Sequence, residues 1–171
     1  MRESPTDLAE LQRVLDDSHA AGGEHLRSIF DVEHRVTAAE LVQALGGIFE
    51  MHLATVTAAG DPLVAPLDGI LFQGKIWFGL PAGSVRSRVV RRDPRVSASY
   101  TNGSFAFIVH GTAREVESGT APEAQYDLLV RELYVAVYGP GWIDWYERRR
   151  REDPAVGFTG WIEPRRMFAK R

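Results

Sequence analysis

Cysteine is missing from the sequence: none of the 171 residues is one. Disulfide bonds, thiolate zinc sites, iron–sulfur clusters and cysteine nucleophiles are therefore excluded. The sequence also lacks an apolar run of about 20 residues, the length that crosses a bilayer, and residues 1–15 show no apolar stretch of the signal-peptide type. We therefore expect a cytoplasmic protein that has no membrane partner.

A surplus of charge of one sign is missing as well. The 20 Lys and Arg residues against 23 Asp and Glu residues leave a formal net charge of −3, which does not suggest a nucleic-acid partner. The five histidines are dispersed, and His19, His25 and His34 lack the spacing of paired metal ligands, so no metal site is predicted. A hydrophobic fraction of 44% is ordinary for a globular protein.

Helical patterns fill residues 1–48, which we interpret as an N-terminal helical extension. Ser4-Pro5 followed by Asp7 is typical of a helix start. Thr37 to Glu40 reads as a capping box for a second helix.

Strand and hairpin patterns dominate residues 49–171, which we expect to form one barrel domain. Three strands, a short helix from Ser84 to Arg92, two strands, a helix over 122–137 and a last strand over 155–162 are predicted, followed by a basic tail. Pro62 and Pro66 indicate that the second strand is an edge or carries a bulge. The predicted class is mainly β with peripheral helices (α+β), an antiparallel barrel.

The sequence does not match the common nucleotide-binding and hydrolase motifs. Residues 69–75 satisfy the Walker pattern up to its lysine, but Ile76 replaces Ser or Thr and the intervening residues are strand-like. Neither Gly-x-Ser-x-Gly nor Gly-x-Gly-x-x-Gly occurs.

Three blocks carry a family likeness, and they stand in this order: Leu53-Ala54-Thr55-Val56-Thr57 with Gly60-Asp61-Pro62 and Pro66, then Lys75-Ile76-Trp77-Phe78-Gly79, then Arg86-Ser87-Arg88-Val89-Val90-Arg91-Arg92-Asp93-Pro94-Arg95-Val96. Together they resemble the flavin- and deazaflavin-binding split barrels of the pyridoxamine 5'-phosphate oxidase-like superfamily. The likeness covers about residues 50–117.

The resemblance implies a split β-barrel that forms a homodimer, with a cofactor site at the interface. The cofactor would be FMN or, alternatively, the deazaflavin coenzyme, with haem less favoured. Its ring would lie against the barrel, and its phosphate near the third strand and the following helix. The implied function is hydride transfer between the cofactor and a small organic substrate; the alternative is a non-catalytic flavin or haem carrier or sensor.

Residues of the short helix are candidates for the phosphate site. Ser84 introduces a helix whose free N–H groups and positive dipole end favour an anion. Arg86 and Arg88 stand in its first turn, where a cation is unfavourable unless an anion is bound. The alternative is that both arginines decorate a solvent-exposed helix.

For the ring, the resemblance points to two strands. The candidates from these strands are Pro66, Leu67, Asp68, Gly69, Phe78, Gly79 and Leu80. Asp68 could accept a hydrogen bond from a ring N–H or from substrate, or else face water at the barrel rim. Phe78 and Leu80 favour the core.

The C-terminal third is rich in aromatic residues. Trp142, Trp145, Tyr146 and Trp161 line a substrate pocket or, alternatively, pack an interface. The run Arg148–Arg151 is a solvated helix end or, alternatively, binds an acidic cofactor tail.

No catalytic acid or base is predicted, because in such proteins the cofactor supplies the reactivity. The chain ends without the Glu-Phe-Trp and Arg-Leu-His-rich segments of the pyridoxine-phosphate oxidases. We therefore do not expect it to oxidise vitamin B6.

Overall fold

Six antiparallel strands close into a barrel. The computed structural model describes residues 3–31, 33–152 and 157–171. The strands are β1 (Ile48–Val56), β2 (Pro62–Phe72), β3 (Lys75–Leu80), β4 (Arg95–Asn102), β5 (Phe105–Glu115) and β6 (Phe158–Lys170). Their order around the barrel is β1-β2-β3-β6-β5-β4. The predicted class, a mainly β barrel with peripheral helices, is confirmed.

Six helices surround the barrel in the described residues. They are α1 (Pro5–Ala20), α2 (Glu24–Ile29), α3 (Ala38–Ala44), α4 (Val85–Arg92), α5 (Ala121–Tyr138) and α6 (Gly141–Glu152). The predicted helix start at Ser4 and the predicted capping box at Thr37 are confirmed for α1 and α3, and Ser4 also forms a capping box with Asp7. Helix α2 was not predicted, and of α6 only a helix end at Arg148–Arg151 was considered.

Strand β6 differs from the prediction. It runs to Lys170, so the supposed basic tail is part of the barrel; positions 155 and 156 lie outside the described residues. Its polar residues Glu163, Arg165 and Arg166 are exposed while Met167 is buried. The solvent-facing side of an antiparallel strand can carry charged residues, and for this reason the charged sequence after residue 162 was interpreted as a tail and not as a strand.

Strand β2 joins two neighbours unequally. It pairs with β1 from Pro62 to Ile70, but with β3 only from Gly69 to Phe72. In the described ladders, the first half of β2 therefore has a free side. This confirms the edge position that its prolines indicated.

Alternation along the strands separates the inside of the barrel from the outside. The inward side chains form one core with α1 and α3; they include Met51, Leu53, Ile76, Phe78, Phe107, Val109, Ile162 and Met167. The boundary at residue 48 stays a prediction, but the core of the barrel already includes Leu11 and Leu41 of the N-terminal helices.

A second, smaller core lies outside the barrel, where α5 packs. It contains Ile70 of β2, Trp77 of β3, and Tyr126 and Leu129 of α5. The helical spacing of Leu128, Leu129, Leu133 and Val137 in the sequence predicts one apolar face for this helix, but this is wrong for Leu128 and Val137, because both are more than 60% exposed.

Candidate functional site

A cavity of about 780 Å³ lies between the outer surface of the barrel and the helices α5 and α6. This volume is within the range of small-molecule sites. The barrel side is formed by Asp68, Ile70, Gly79, Leu80 and Thr159, and the chain leaving β3 adds Pro81 and Ala82.

The barrel wall has an open place at Gly79. A Cβ atom built there would meet only the carbonyl oxygen of Phe158, at 3.9 Å. At Gly157, by contrast, it would lie 2.3 Å from the carbonyl oxygen of Leu80. Backbone packing therefore requires glycine at 157, whereas at 79 its missing side chain leaves room in the cavity.

The helical wall is a stack of four aromatic rings. Trp142 lies 4.7 Å from Tyr134 on one side and 4.7 Å from Tyr146 on the other, and Tyr134 in turn lies 5.9 Å from Tyr138. Since both faces of Trp142 are covered, a ligand meets ring edges along the stack. The rings left for face contact are Tyr138, 66% exposed, and the tilted Trp145, 53% exposed.

Polar contacts behind the stack join α5 to α6. The Tyr146 hydroxyl donates to Asp127 at 2.9 Å, and the Arg131 guanidinium donates to Asp127 at 2.7 Å and reaches Glu147 at 2.5 Å. Hydrogen bonding to Asp127 is the main reason that the pKa of Arg131 is raised. These contacts fix the helical wall.

One hydrogen bond crosses the cavity wall from helix to barrel. The Tyr134 hydroxyl donates to the carboxylate of Asp68. Burial, followed by this hydrogen bond and the charge of Asp68, raises the pKa of Tyr134. Burial also raises the pKa of Tyr126, helped by Tyr146 and Asp68. Both tyrosines therefore stay protonated at neutral pH.

The N-terminus of α4 follows the cavity residues Pro81 and Ala82 in the chain. The Ser84 side chain caps the helix by accepting from the Ser87 N–H at 3.0 Å. Arg86 donates to the carbonyl of Pro66 at 3.3 Å, and Arg88 donates to the carbonyl of Gly83.

Carboxylate partners distinguish the arginines of α4. Arg91 at the other end of the helix pairs with Glu115, which raises the pKa of Arg91. Within the described part of the chain, Arg86, Arg88 and Arg92 contact backbone carbonyls and no carboxylate, and of these Arg86 and Arg88 lie near the N-terminus of α4.

The residues predicted to contact the cofactor ring lie on both faces of the barrel wall, because successive side chains of a strand point to opposite faces. Asp68 and Gly79 face the cavity, and Leu80 borders it. Pro66 is exposed next to Arg86. The rest turn inward: Leu67 packs against the core, Phe78 is completely buried, and a Cβ at Gly69 would lie 2.9 Å from the Phe49 ring. Cofactor binding by all of these residues stays a prediction.

The predicted aromatic residues divide as well. Trp142, Trp145 and Tyr146 line the cavity, whereas Trp161 packs on Trp77 at 5.0 Å. The sequence reasoning missed the contribution of α5, whose cavity residues are Tyr126, Val130, Tyr134 and Tyr138. Their spacing of four residues is the signal that could have found them.

In the described residues, none of the helices combines the length and the apolar character needed to cross a membrane. The same residues contain no group of three His, Asp or Glu side chains that could hold a metal ion.

The comparisons with known proteins agree on the fold. No model of a known protein family matches the chain, and no curated protein matches it. Among solved structures, a conserved hypothetical protein from Mycobacterium tuberculosis gives a TM-score of 0.66 at 22% identity, over 82% of this chain and 88% of that one.

Two further similar structures are described by a cofactor. A FAD-binding protein from Mesorhizobium loti gives a TM-score of 0.57 at 18% identity, over 79% of this chain and 93% of that one. An F420 reductase gives 0.53 at 19% identity, over 74% and 94%. A haem storage protein and a haem-binding protein share the fold, as does a protein named after pyridoxamine 5'-phosphate oxidase. The split-barrel resemblance seen in the sequence is thus confirmed as a shared fold.

Proposed function

We propose that this protein binds FMN or the deazaflavin coenzyme and transfers hydride between that cofactor and a small organic molecule. The observation that carries the proposal is the cavity at Gly79, whose lining residues Pro81 and Ala82 lead in the chain to the start of α4, where Arg86 and Arg88 have no carboxylate partner among the described residues. A flat apolar site beside an anion site suits a ring that carries a phosphate.

The residues present fit such a group. The surface at Gly79 accepts a flat ring, because a side chain at this position would occupy the space. Asp68 offers an acceptor to a ring N–H, and the Tyr134 hydroxyl orients its carboxylate. Ser84, Arg86 and Arg88 would hold the phosphate by charge-assisted hydrogen bonds.

The bound flavin or deazaflavin would supply the hydride chemistry, and the protein would supply binding and orientation. The aromatic stack on α5 and α6 would exclude water from one side of the site. Burial and Asp68 raise the pKa of Tyr134, so its hydroxyl would keep its proton, stay uncharged and donate a hydrogen bond to Asp68.

A homodimer is part of this proposal. Val64 of β2 is 65% exposed and Val85 of α4 is 57% exposed, and the contact from Arg86 to Pro66 joins these two elements. A second copy would cover these apolar side chains and close the site beside Arg86.

The second candidate is a non-catalytic carrier of flavin or haem, since a haem storage protein and a haem-binding protein share the fold. Haem iron usually takes His, Cys, Met or Tyr as its axial ligand. The described residues that line the cavity include no histidine, cysteine or methionine, so a tyrosine would have to serve. This favours the flavin-type cofactors.

The visible spectrum of the purified protein is the first test, followed by titration with FMN, with the deazaflavin coenzyme F420 and with haem. We expect saturable binding of FMN or F420 at micromolar concentration, about −8 kcal/mol. Reduction of the bound cofactor and its reoxidation by an added acceptor would separate an enzyme from a carrier. Protein that stays colourless and binds none of the three would refute the proposal.

A further inference from the structure

The cavity contains a charged side chain that the proposed cofactor site does not use. Arg149 of α6 lines the cavity with an exposed guanidinium. In the parts of the chain that the structure describes, it has no hydrogen-bond or ion-pair partner. Its spacing from Trp142, Trp145 and Tyr146 places it on the same helix face as these rings.

Arg149 and the arginines of α4 lie at different places relative to the cavity. Arg149 lines its helical wall, whereas Arg86 and Arg88 are outside its lining and follow the barrel-wall residues Pro81 and Ala82 in the chain. If α4 holds the phosphate of the cofactor, Arg149 is left for an anionic group of another molecule.

Trp145 indicates that the molecule with this anionic group also carries a ring. It is 53% exposed and lines the cavity, and it precedes Arg149 by four residues. Side chains at this spacing are neighbours on a helix surface, with Cβ atoms about 5–6 Å apart. A ring packed on Trp145 could therefore extend a carboxylate directly to the guanidinium.

Asp68 would fix the orientation of the bound anionic molecule in the cavity. It is the carboxylate on the barrel wall, held by Tyr134, and it would repel an anionic group placed beside it. The anionic end of a bound molecule would therefore point to Arg149 and away from Asp68.

We propose that Arg149 determines substrate specificity, and that the substrate is a flat aromatic or conjugated molecule that carries a carboxylate or a similar anionic group. This inference rests on the proposed function, because it assigns the cofactor to the α4 side of the cavity. It adds the class of substrate.

The test compares two isosteric probes, 2-naphthoate and the neutral 2-naphthamide, by calorimetry on the protein saturated with FMN. We expect naphthoate to bind about tenfold more tightly, an advantage that shrinks at high salt. Arg149→Gln should abolish the preference and Arg149→Lys should restore part of it. Arg148→Gln is the matched control, since Arg148 is exposed and outside the cavity lining, and it should keep the preference.

Equal binding of the two probes, or a preference that survives Arg149→Gln, would overturn the inference. So would a loss of FMN affinity in Arg149→Gln as large as the loss of naphthoate affinity, because Arg149 would then belong to the cofactor site. If the protein binds neither FMN nor F420, the proposed function fails by that titration alone. The two naphthalene probes can still be compared on the cofactor-free protein.

Discussion

Gly79 controls the space available on the barrel wall. Its Cβ position is open, and it lies within a regular strand, where a larger residue is compatible with the backbone. The effect of a side chain here should therefore fall on the ligand and not on the fold.

We expect Gly79→Leu to weaken cofactor binding about tenfold or more, because the new side chain fills the cavity. Gly79→Ala should weaken it less. Spectroscopic titration measures the affinity, and urea unfolding should show stability within about 1 kcal/mol of wild type. Full affinity in Gly79→Leu would place the ring elsewhere.

Arg86 should contribute through its charge. We expect Arg86→Ala to weaken binding of FMN or F420 at least about tenfold, about 1.4 kcal/mol, because a hydrogen bond to the phosphate is lost. Arg95→Ala is the control, since Arg95 pairs with Asp93 instead. Unchanged affinity in Arg86→Ala would remove this residue from the site.

His110 on β5 should make stability depend on pH. Burial, followed by the charges of Arg165 and Arg166, lowers its pKa from 6.5, while Ser97 lies 2.7 Å from its Nδ1 atom. As the pH falls through 6.5, the unfolded chain binds the proton before the folded one does, so folding stability decreases. Urea unfolding at pH 7, 6 and 5 should show a smaller decrease for His110→Gln, and an identical decrease would contradict this assignment.

At the scale of elements, α5 and α6 form a wall with few buried side chains, of which Tyr126 and Leu129 of α5 are buried against the barrel. Apart from the small core around Trp77 and Tyr126, the pair depends on contacts such as those of Arg131 with Asp127 and Glu147. Segments with few buried apolar contacts open locally before the whole molecule unfolds.

We expect Arg131→Leu to speed amide hydrogen exchange in α6 about fivefold, the effect of about 1 kcal/mol. Exchange in the barrel strands should not change. Arg114→Leu is the control, because Arg114 pairs with Glu163 between β5 and β6, and it should leave α6 unaffected. Uniform acceleration in both regions would mean that the helices and barrel open together.

An element could be predicted when the contacts that define it join residues close together in the sequence. Ser4 and Thr37 cap α1 and α3 by hydrogen bonds to residues only three positions away, so the local sequence was enough to predict both helix starts. Burial of Leu129 rather than Leu128 depends on where Ile70 and Trp77 lie, which the local pattern does not contain. For the same reason, the sequence identified Trp142 and Trp145 as pocket candidates but not their neighbours on α5.

At the scale of the whole molecule, the exposed valines Val56, Val64 and Val85 are expected to lie between two copies. We expect light scattering to give roughly twice the chain mass of 19.1 kDa. Val64→Glu should produce monomers and weaken cofactor binding, because a charge would be buried at the interface. Leu128→Glu is the control, since Leu128 is equally exposed on α5. A monomeric wild-type protein would refute the dimer.

The ring stack of α5 and α6 limits which amino-acid substitutions can be accepted in this wall during evolution. Trp142 is held between Tyr134 and Tyr146, so replacing one ring by a smaller residue leaves its neighbours without support. Substitutions in contact are generally not additive. We expect relatives with a differently shaped cavity to differ at several of these positions together, and single replacements to be rare among them.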